Sequence, residues 1–260
     1  MSIPKIIHYV WVGGKPKSAH VISCIASWEK HCPDYQIKEW NEHNFDVDGH
    51  PFVKQAFEQK NWALMSDVIR VWALYEQGGV YFDTDLELVA PIDALLDHDI
   101  FLCYESPYWV GSAVLGTIQK HPVFLRVLKR YEEAKPIGFH TNPLTVHAFT
   151  AALRYDYHVK PNGKSTIIDP NIALISSDYF YPQHYMSGKL KMTERTKGIH
   201  HYFGSWHSSK QSKSQRFASL SYKILGKHIF KIFEGIVARN YYRMIRKEFR
   251  QMDQEASHDQ

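Results

Sequence analysis

The stretch Ser66–Glu87, SDVIRVWALYEQGGVYFDTDLE, leaves few folds open to the chain, because a helix, a forced stop and a strand follow one another without slack. Val68, Val71, Trp72 and Tyr75 recur at three- and four-residue spacing and predict a helix with one buried face, capped by Ser66 or Asp67. Gly78-Gly79 ends it, since glycine enters left-handed backbone angles without a Cβ penalty. Val80-Tyr81-Phe82 then predicts a short strand that delivers Asp83-Thr84-Asp85 to its end.

Carboxylates at i and i+2 share one face of an extended chain, so Asp83 and Asp85 can converge on one hard divalent cation. Asp67 and Arg70, three apart on the helix, offer a carboxylate and a planar guanidinium fork to the same crevice. An isolated acidic pair is more often a solvated strand exit. Here the whole run carries the weight.

The chain around this unit alternates in kind. Ile3–Val12 predicts a central strand closed by Gly13-Gly14, Ser18–Lys30 a helix, Tyr35–Trp40 a strand and Pro51–Gln59 a short helix. Beyond Asp85, strands are predicted at Ile100–Tyr104 and Trp109–Gly116, and a helix over Val123–Glu133. Strands alternating with helices imply an α/β domain with a mixed, mainly parallel sheet. Trp11 would stand at the carboxyl end of the first strand, where it could stack on a nucleobase or lie in the core.

Composition narrows the setting. A chain of 260 residues, 44% hydrophobic and 22% charged, fits one sizeable domain with a small appendage. Cys24, Cys32 and Cys103 have neither disulfide-framework nor zinc-finger spacing, which fits a reducing compartment. The N-terminus enters a strand-like segment directly and no apolar run has the length of a membrane span. The expectation is a cytoplasmic protein, at the inner face of the membrane if it attaches to one.

The Ser66–Glu87 run resembles the signature of glycosyltransferase family 32, the OCH1-like and capsular-polysaccharide group of sugar transferases, and is similar to the corresponding segment of large clostridial glucosylating toxins. The opening IPKIIHYVWVGG resembles the start of the same family. The resemblance implies a GT-A-like domain that transfers a hexose, with retention, from a nucleotide-diphosphate sugar, UDP-linked by expectation, to a glycan or glycolipid in surface polysaccharide synthesis. It makes Asp67, Arg70, Asp83 and Asp85 the catalytic set, with Mn2+ or Mg2+ on Asp83 and Asp85. It places Trp11, Tyr81, Asp83, Ser205 and Trp206 on the donor nucleotide and its diphosphate.

His200-His201-Tyr202-Phe203-Gly204-Ser205-Trp206 looks like the family's closing motif, and its His-Tyr-x-Gly is similar to the metal-binding histidine motif of glycosyltransferase family 8. On that likeness His201 is the third metal ligand, with His200 and His207 as alternatives. The segment His140–Thr145 is similar to a family loop lining the sugar, which brings in Asn142 and Thr145. Tyr179–Pro182 resembles an architectural strand end.

The basicity is local. Lys223–Arg250 holds eight Lys/Arg against two Glu, a charge of +6 in a chain of net +4, so the remainder is at −2. Helically spaced Leu220, Ile224, Ile229, Ile232, Phe233 and Ile236 predict one or two amphipathic helices, weakened or broken at Gly226 and Gly235. The division is therefore a catalytic domain over 1–215 and a basic segment over 216–260, which either packs on the domain or contacts an anionic membrane. Nothing resembles a nucleic-acid module. Two rivals stand beside the transferase: a silent sugar-binding scaffold, and a DxD phosphohydrolase. In the similar haloacid dehalogenase group Thr or Val stands where this chain has Glu87.

Overall fold

A computed structural model describes residues 2–133, 145–168, 171–184, 188–203 and 213–258, with side chains in the last segment described at 232 and over 234–257. Strand β1 (Ile6–Val10) leads to helix α1 (Ala19–His31), β2 (Gln36–Trp40), α2 (Pro51–Glu58) and α3 (Trp62–Gln77). Then come β3 (Gly79–Phe82), β4 (Leu86–Leu88), β5 (Ile100–Ser106), β6 (Trp109–Thr117), α4 (Pro122–Glu133) and α5 (Thr145–Asp156). The chain continues through β7 (Thr166–Ile168), β8 (Ile172–Ile175) and β9 (Gly198–His200) to α6 (Lys213–His258).

Seven strands form one mixed sheet in the order β2-β1-β3-β6-β5-β8-β7, while β4 and β9 pair separately as a two-stranded ribbon. β1 runs parallel to β2 and β3, and β5 parallel to β8; β6 is antiparallel to both β3 and β5. The α/β expectation holds, and alternation along the strands explains it. Val80, Phe82, Phe101 and Cys103 enter one core, whereas Tyr81, Ile100, Leu102 and Tyr104 enter the other. A sheet buried on both faces needs apolar residues at successive positions, which is why these strands are continuous apolar runs.

One expectation about the helices is corrected. α3 begins at Trp62, because the Asn61 side chain accepts from the Leu64 amide at 3.2 Å and supplies the cap one turn earlier than Ser66 or Asp67. Ser66 and Asp67 therefore stand inside the helix. α6 is one helix of 46 residues, the single-helix form of the two that its spacing allowed, and it runs through both glycines. At Gly235 a Cβ would stand 3.3 Å from the Tyr108 ring, so the missing side chain lets α6 approach the β5–β6 turn closely.

α6 lies on α5 and α4 with Ala238, Ile245, Phe249 and Met252 buried. Arg130 Nε donates to Glu248 at 2.7 Å, and Arg126 Nη1 to Asp253 at 2.9 Å. The His147 ring stacks on Tyr241 at 4.0 Å. Among the described residues, no helix is long and apolar enough to cross a membrane.

A buried histidine fastens the parallel strands. The indole N–H of Trp40 donates to His8 Nδ1 at 3.1 Å, so His8 Nε2 carries the proton that it donates to the Gly78 carbonyl at 2.9 Å. Burial pushes its pKa down to about 4, opposed by the Gly78 bond, and the ring is held neutral.

Candidate active site

The carboxyl ends of β1 and β3 point the same way, because the strands are parallel with His8 opposite Tyr81. Trp11 thus leaves the sheet at the edge where Asp83 begins its turn. Trp11 is partly buried, its ring N–H donating to the Lys15 carbonyl at 2.7 Å.

The acidic residues sit in a tight turn between β3 and β4. The Asp83 amide donates to Ala113 of β6 at 2.9 Å, and the Leu86 amide donates back to the Asp83 carbonyl at 2.9 Å. α1 holds the turn from behind: Trp28 Nε1 donates to the Leu86 carbonyl at 2.7 Å, and the Leu88 amide to Ser27 Oγ at 2.9 Å. The turn is therefore fixed by the sheet on one side and a helix on the other.

Arg70 rises from the middle of α3 into this turn with its side chain only 6% exposed. Its Nη2 lies 3.2 Å from Asp67 Oδ1, and its Nη1 3.1 Å from Asp83 Oδ1 and 2.9 Å from the Ser112 carbonyl. The guanidinium lies over the Tyr81 ring at 4.7 Å, and the Tyr81 hydroxyl donates to the same Asp83 Oδ1 at 2.9 Å. Asp83 thus has one oxygen committed to Arg70 and Tyr81, with Oδ2 turned toward His200 at 4.0 Å.

Burial pushes the Asp67 carboxyl above its usual range, against the pull of Arg70 and of a hydrogen bond from Thr145. Burial works to lower the Arg70 pKa, but Asp83 and Asp67 outweigh it and keep the cation. Thr145 also bonds the Tyr131 hydroxyl at 2.8 Å, so the expected Thr145 does reach the site through Asp67.

The late segment closes the other side. β9 pairs antiparallel with β4, placing His200 opposite Leu86, and its Nε2 stands 3.1 Å from Asp85 Oδ1. The Phe203 amide donates to Asp85 Oδ2 at 2.9 Å, and the His201 amide to the Asp85 carbonyl at 3.1 Å. Burial would raise Asp85, but the His200 bond and the Phe203 amide hold it below the usual carboxylate range. Burial would likewise depress His200, and Asp85 reverses that, so His200 is raised. Its Nδ1 is buried with no partner among the described residues.

Asp83, Asp85 and His200 each present a ligand atom within 4.8 Å of the others. Two carboxylates and one imidazole are a donor set that Mn2+ accepts readily, and Mg2+ less so. The choice of His201 is corrected by this geometry. Adjacent residues leaving a strand point to opposite sides, so His201 turns away and its Nε2 meets Glu87 at 2.9 Å. Tyr81, expected on the donor, lies 2% exposed beneath Arg70 and Asp83. Asn142, Ser205, Trp206 and His207 lie outside the described residues.

Two residues join the site unannounced. Glu105, at the end of β5, is bonded to the Tyr202 hydroxyl with His200 and Asp83 nearby, and burial pushes its pKa up. Tyr202 holds φ at 56°, a strained value for a bulky residue, and its ring lies 4.2 Å from that of His200. An acid directly after the apolar run IFLCY is a visible signal for Glu105; the Tyr202 backbone leaves none in the sequence.

Residues 18–102 match the family model described as glycosyltransferase sugar-binding region containing DXD motif. The chain is 30% identical over 139 residues to inositol phosphoceramide mannosyltransferase 2 of Schizosaccharomyces pombe, covering 50% of this chain and 39% of that protein. It is 32% identical over 140 residues to mannosyl phosphorylinositol ceramide synthase SUR1 of Saccharomyces cerevisiae, covering 49% and 34%. The chain thus spans about a third to a half of the length of the curated relatives it matches. Among solved structures, it aligns with the PaToxG glycosyltransferase at TM-score 0.46 and 17% identity, covering 60% of this chain and 69% of that one. It aligns with the galactosyltransferase LgtC in complex with donor and acceptor sugar analogs at TM-score 0.45 and 13% identity, covering 84% and 95%.

Proposed function

Because its residues 18–102 belong to the DXD-containing glycosyltransferase family, we propose that this chain is a metal-dependent hexosyltransferase using a nucleotide-diphosphate sugar as donor. The observation that carries the reading is the meeting of Asp83, Asp85 and His200 beside the Arg70–Asp67 pair. One helix, one strand end and a segment over a hundred residues later converge on one point, which a solvated strand exit does not require.

Asp83, Asp85 and His200 would hold Mn2+ or Mg2+, whose charge there would offset that of the departing diphosphate. Arg70 and the Tyr81 hydroxyl fix Asp83 Oδ1, so that only Oδ2 faces the cluster. Asp67, tied to Arg70 and Thr145, orients donor sugar hydroxyls at the reacting carbon. Trp11, at the same sheet edge, receives the nucleobase, with Ser205 and Trp206 assigned to the diphosphate side. Glu105, bonded to Tyr202 with His200 and Asp83 nearby, is assigned to the acceptor side.

The acceptor is a glycan or lipid-linked oligosaccharide in surface polysaccharide synthesis, reached from the cytoplasmic side, with retention at the anomeric carbon. Residues 1–215 carry the chemistry and 216–260 are the appended segment. The relatives' names bring mannosyl donors and phosphoinositol-bearing lipid headgroups into the first screen, alongside UDP-hexoses.

The test is a donor-hydrolysis screen across nucleotide sugars with and without Mn2+. Metal-dependent release of nucleoside diphosphate, lost in Asp85→Asn, supports the reading. Calorimetric sugar binding without turnover points to a scaffold, and phosphate release from simple esters without sugar transfer points to a phosphohydrolase.

A further inference from the structure

The outward side of α6 separates from its inward side in both chemistry and sign of charge. Ile232, Ile236, Arg239, Arg243, Lys247 and Arg250 follow at steps of three or four residues and are all exposed, with Ile232 at 64% and Ile236 at 52%. At 100° per residue they form one stripe, about 27 Å long at 1.5 Å per residue. Arg246 is exposed at its margin.

Both glutamates of this stretch are taken inward. Glu248 receives Arg130 Nε at 2.7 Å, and Glu234 is half-buried, its charge contributing to the rise of the Glu105 pKa. Ala238, Ile245, Phe249 and Met252 complete the inner face. The outer stripe is left with cations alone, and among the described residues none of Arg239, Arg243, Arg246, Lys247 and Arg250 is paired with a carboxylate.

We infer that this stripe docks the protein on an anionic lipid bilayer, with the arginines and lysine at the headgroups and Ile232 and Ile236 entering the acyl boundary. Charge complementarity selects the partner. A second copy of the same stripe would repel it, and a nucleic acid would leave two exposed isoleucines on the contact line without a role. A basic stripe continuous with exposed apolar side chains is the composition that interfacial helices use on membranes.

The docking rests on the charge pattern alone; its use, holding the site beside a lipid-borne acceptor, rests on the sugar-transfer reading. α6 also packs its Gly235 against Tyr108, two residues beyond Ser106, where β5 ends next to Glu105. A bilayer under the outer stripe would therefore lie on the far side of α6 from the β5–β6 turn that follows Glu105.

The test is sedimentation of the full chain with vesicles of phosphatidylcholine alone and with a third phosphatidylserine, at low and physiological salt. Binding is expected only to the anionic vesicles, weakening with salt. Each cation contributes about fivefold, so replacing Arg239, Arg243, Lys247 and Arg250 together by Gln should cut it by a few hundredfold. Ile232→Gln with Ile236→Gln should weaken it at unchanged charge. Circular dichroism and donor hydrolysis in solution, both expected to be unaltered, separate loss of docking from loss of fold or of catalysis. Equal sedimentation of the Gln variant and the parent overturns the inference, as does binding to poly-uridine but to neither vesicle. Normal vesicle binding without any donor turnover would leave the docking standing and remove its link to sugar transfer.

Discussion

His200 Nε2 stands 3.1 Å from Asp85 Oδ1, while His201, its immediate neighbour, reaches Glu87 on the opposite side at 2.9 Å. Two adjacent imidazoles thus give a clean comparison. Replacing His200 by Ala should weaken Mn2+ binding by a hundredfold or so and lower turnover with it, whereas His201→Ala should change either by less than about threefold. Manganese titration followed by electron paramagnetic resonance reads the difference; equal effects would refute the assignment.

Tyr81→Phe keeps the ring beneath Arg70 and removes one hydrogen bond to Asp83. A stability loss of about 1 kcal/mol is expected from the bond. Turnover should fall roughly tenfold, with the donor KM nearly unchanged, because Tyr81 steadies a carboxylate instead of touching the donor. A raised KM at constant kcat would instead place the phenol on the nucleotide.

Arg70 is buried between two carboxylates, and losing it would strand both. Arg70→Ala should cost about 3–5 kcal/mol in urea unfolding. Arg70→Lys keeps the charge but not the fork that reaches Asp67, Asp83 and the Ser112 carbonyl together, so it should recover part of the stability and little of the activity.

His8 makes the fold sensitive to acid. Its pKa in the folded chain is about 4, below an ordinary 6.5, so the unfolded chain takes up the proton first. The stabilisation is complete above pH 6.5 and is lost as pH falls toward 4, by about 3 kcal/mol over that window. His147, also lowered to about 4 by burial, adds in the same direction. Urea midpoints between pH 7 and 4.5 should drop steeply for the parent and less so for His8→Gln, which retains a donor and an acceptor.

Much of this site could be read from the chain because its parts are local. The helix, the glycine stop, the strand and the acidic turn lie within the twenty-four residues Trp62–Asp85, and each is specified by its own neighbours. The choice between His200 and His201 was not local. It depends on the register of β9 against β4, and a shift of one residue exchanges the two side chains. Tyr81 escaped for a related reason, since alternation says which residues share a face but not which face meets the ligand. The unbroken α6 reflects burial of Ile245 and Phe249 against α4 and α5, a tertiary gain that propensity at Gly226 and Gly235 does not contain.

The tie between Asp85 and the Phe203 amide spans 118 residues. A nascent chain that has emerged only as far as β8 already holds all seven strands of the main sheet and its acidic turn, yet it lacks the imidazole and amide that complete the centre. Competence to bind a cation is therefore acquired late in synthesis, after the strands that will carry it.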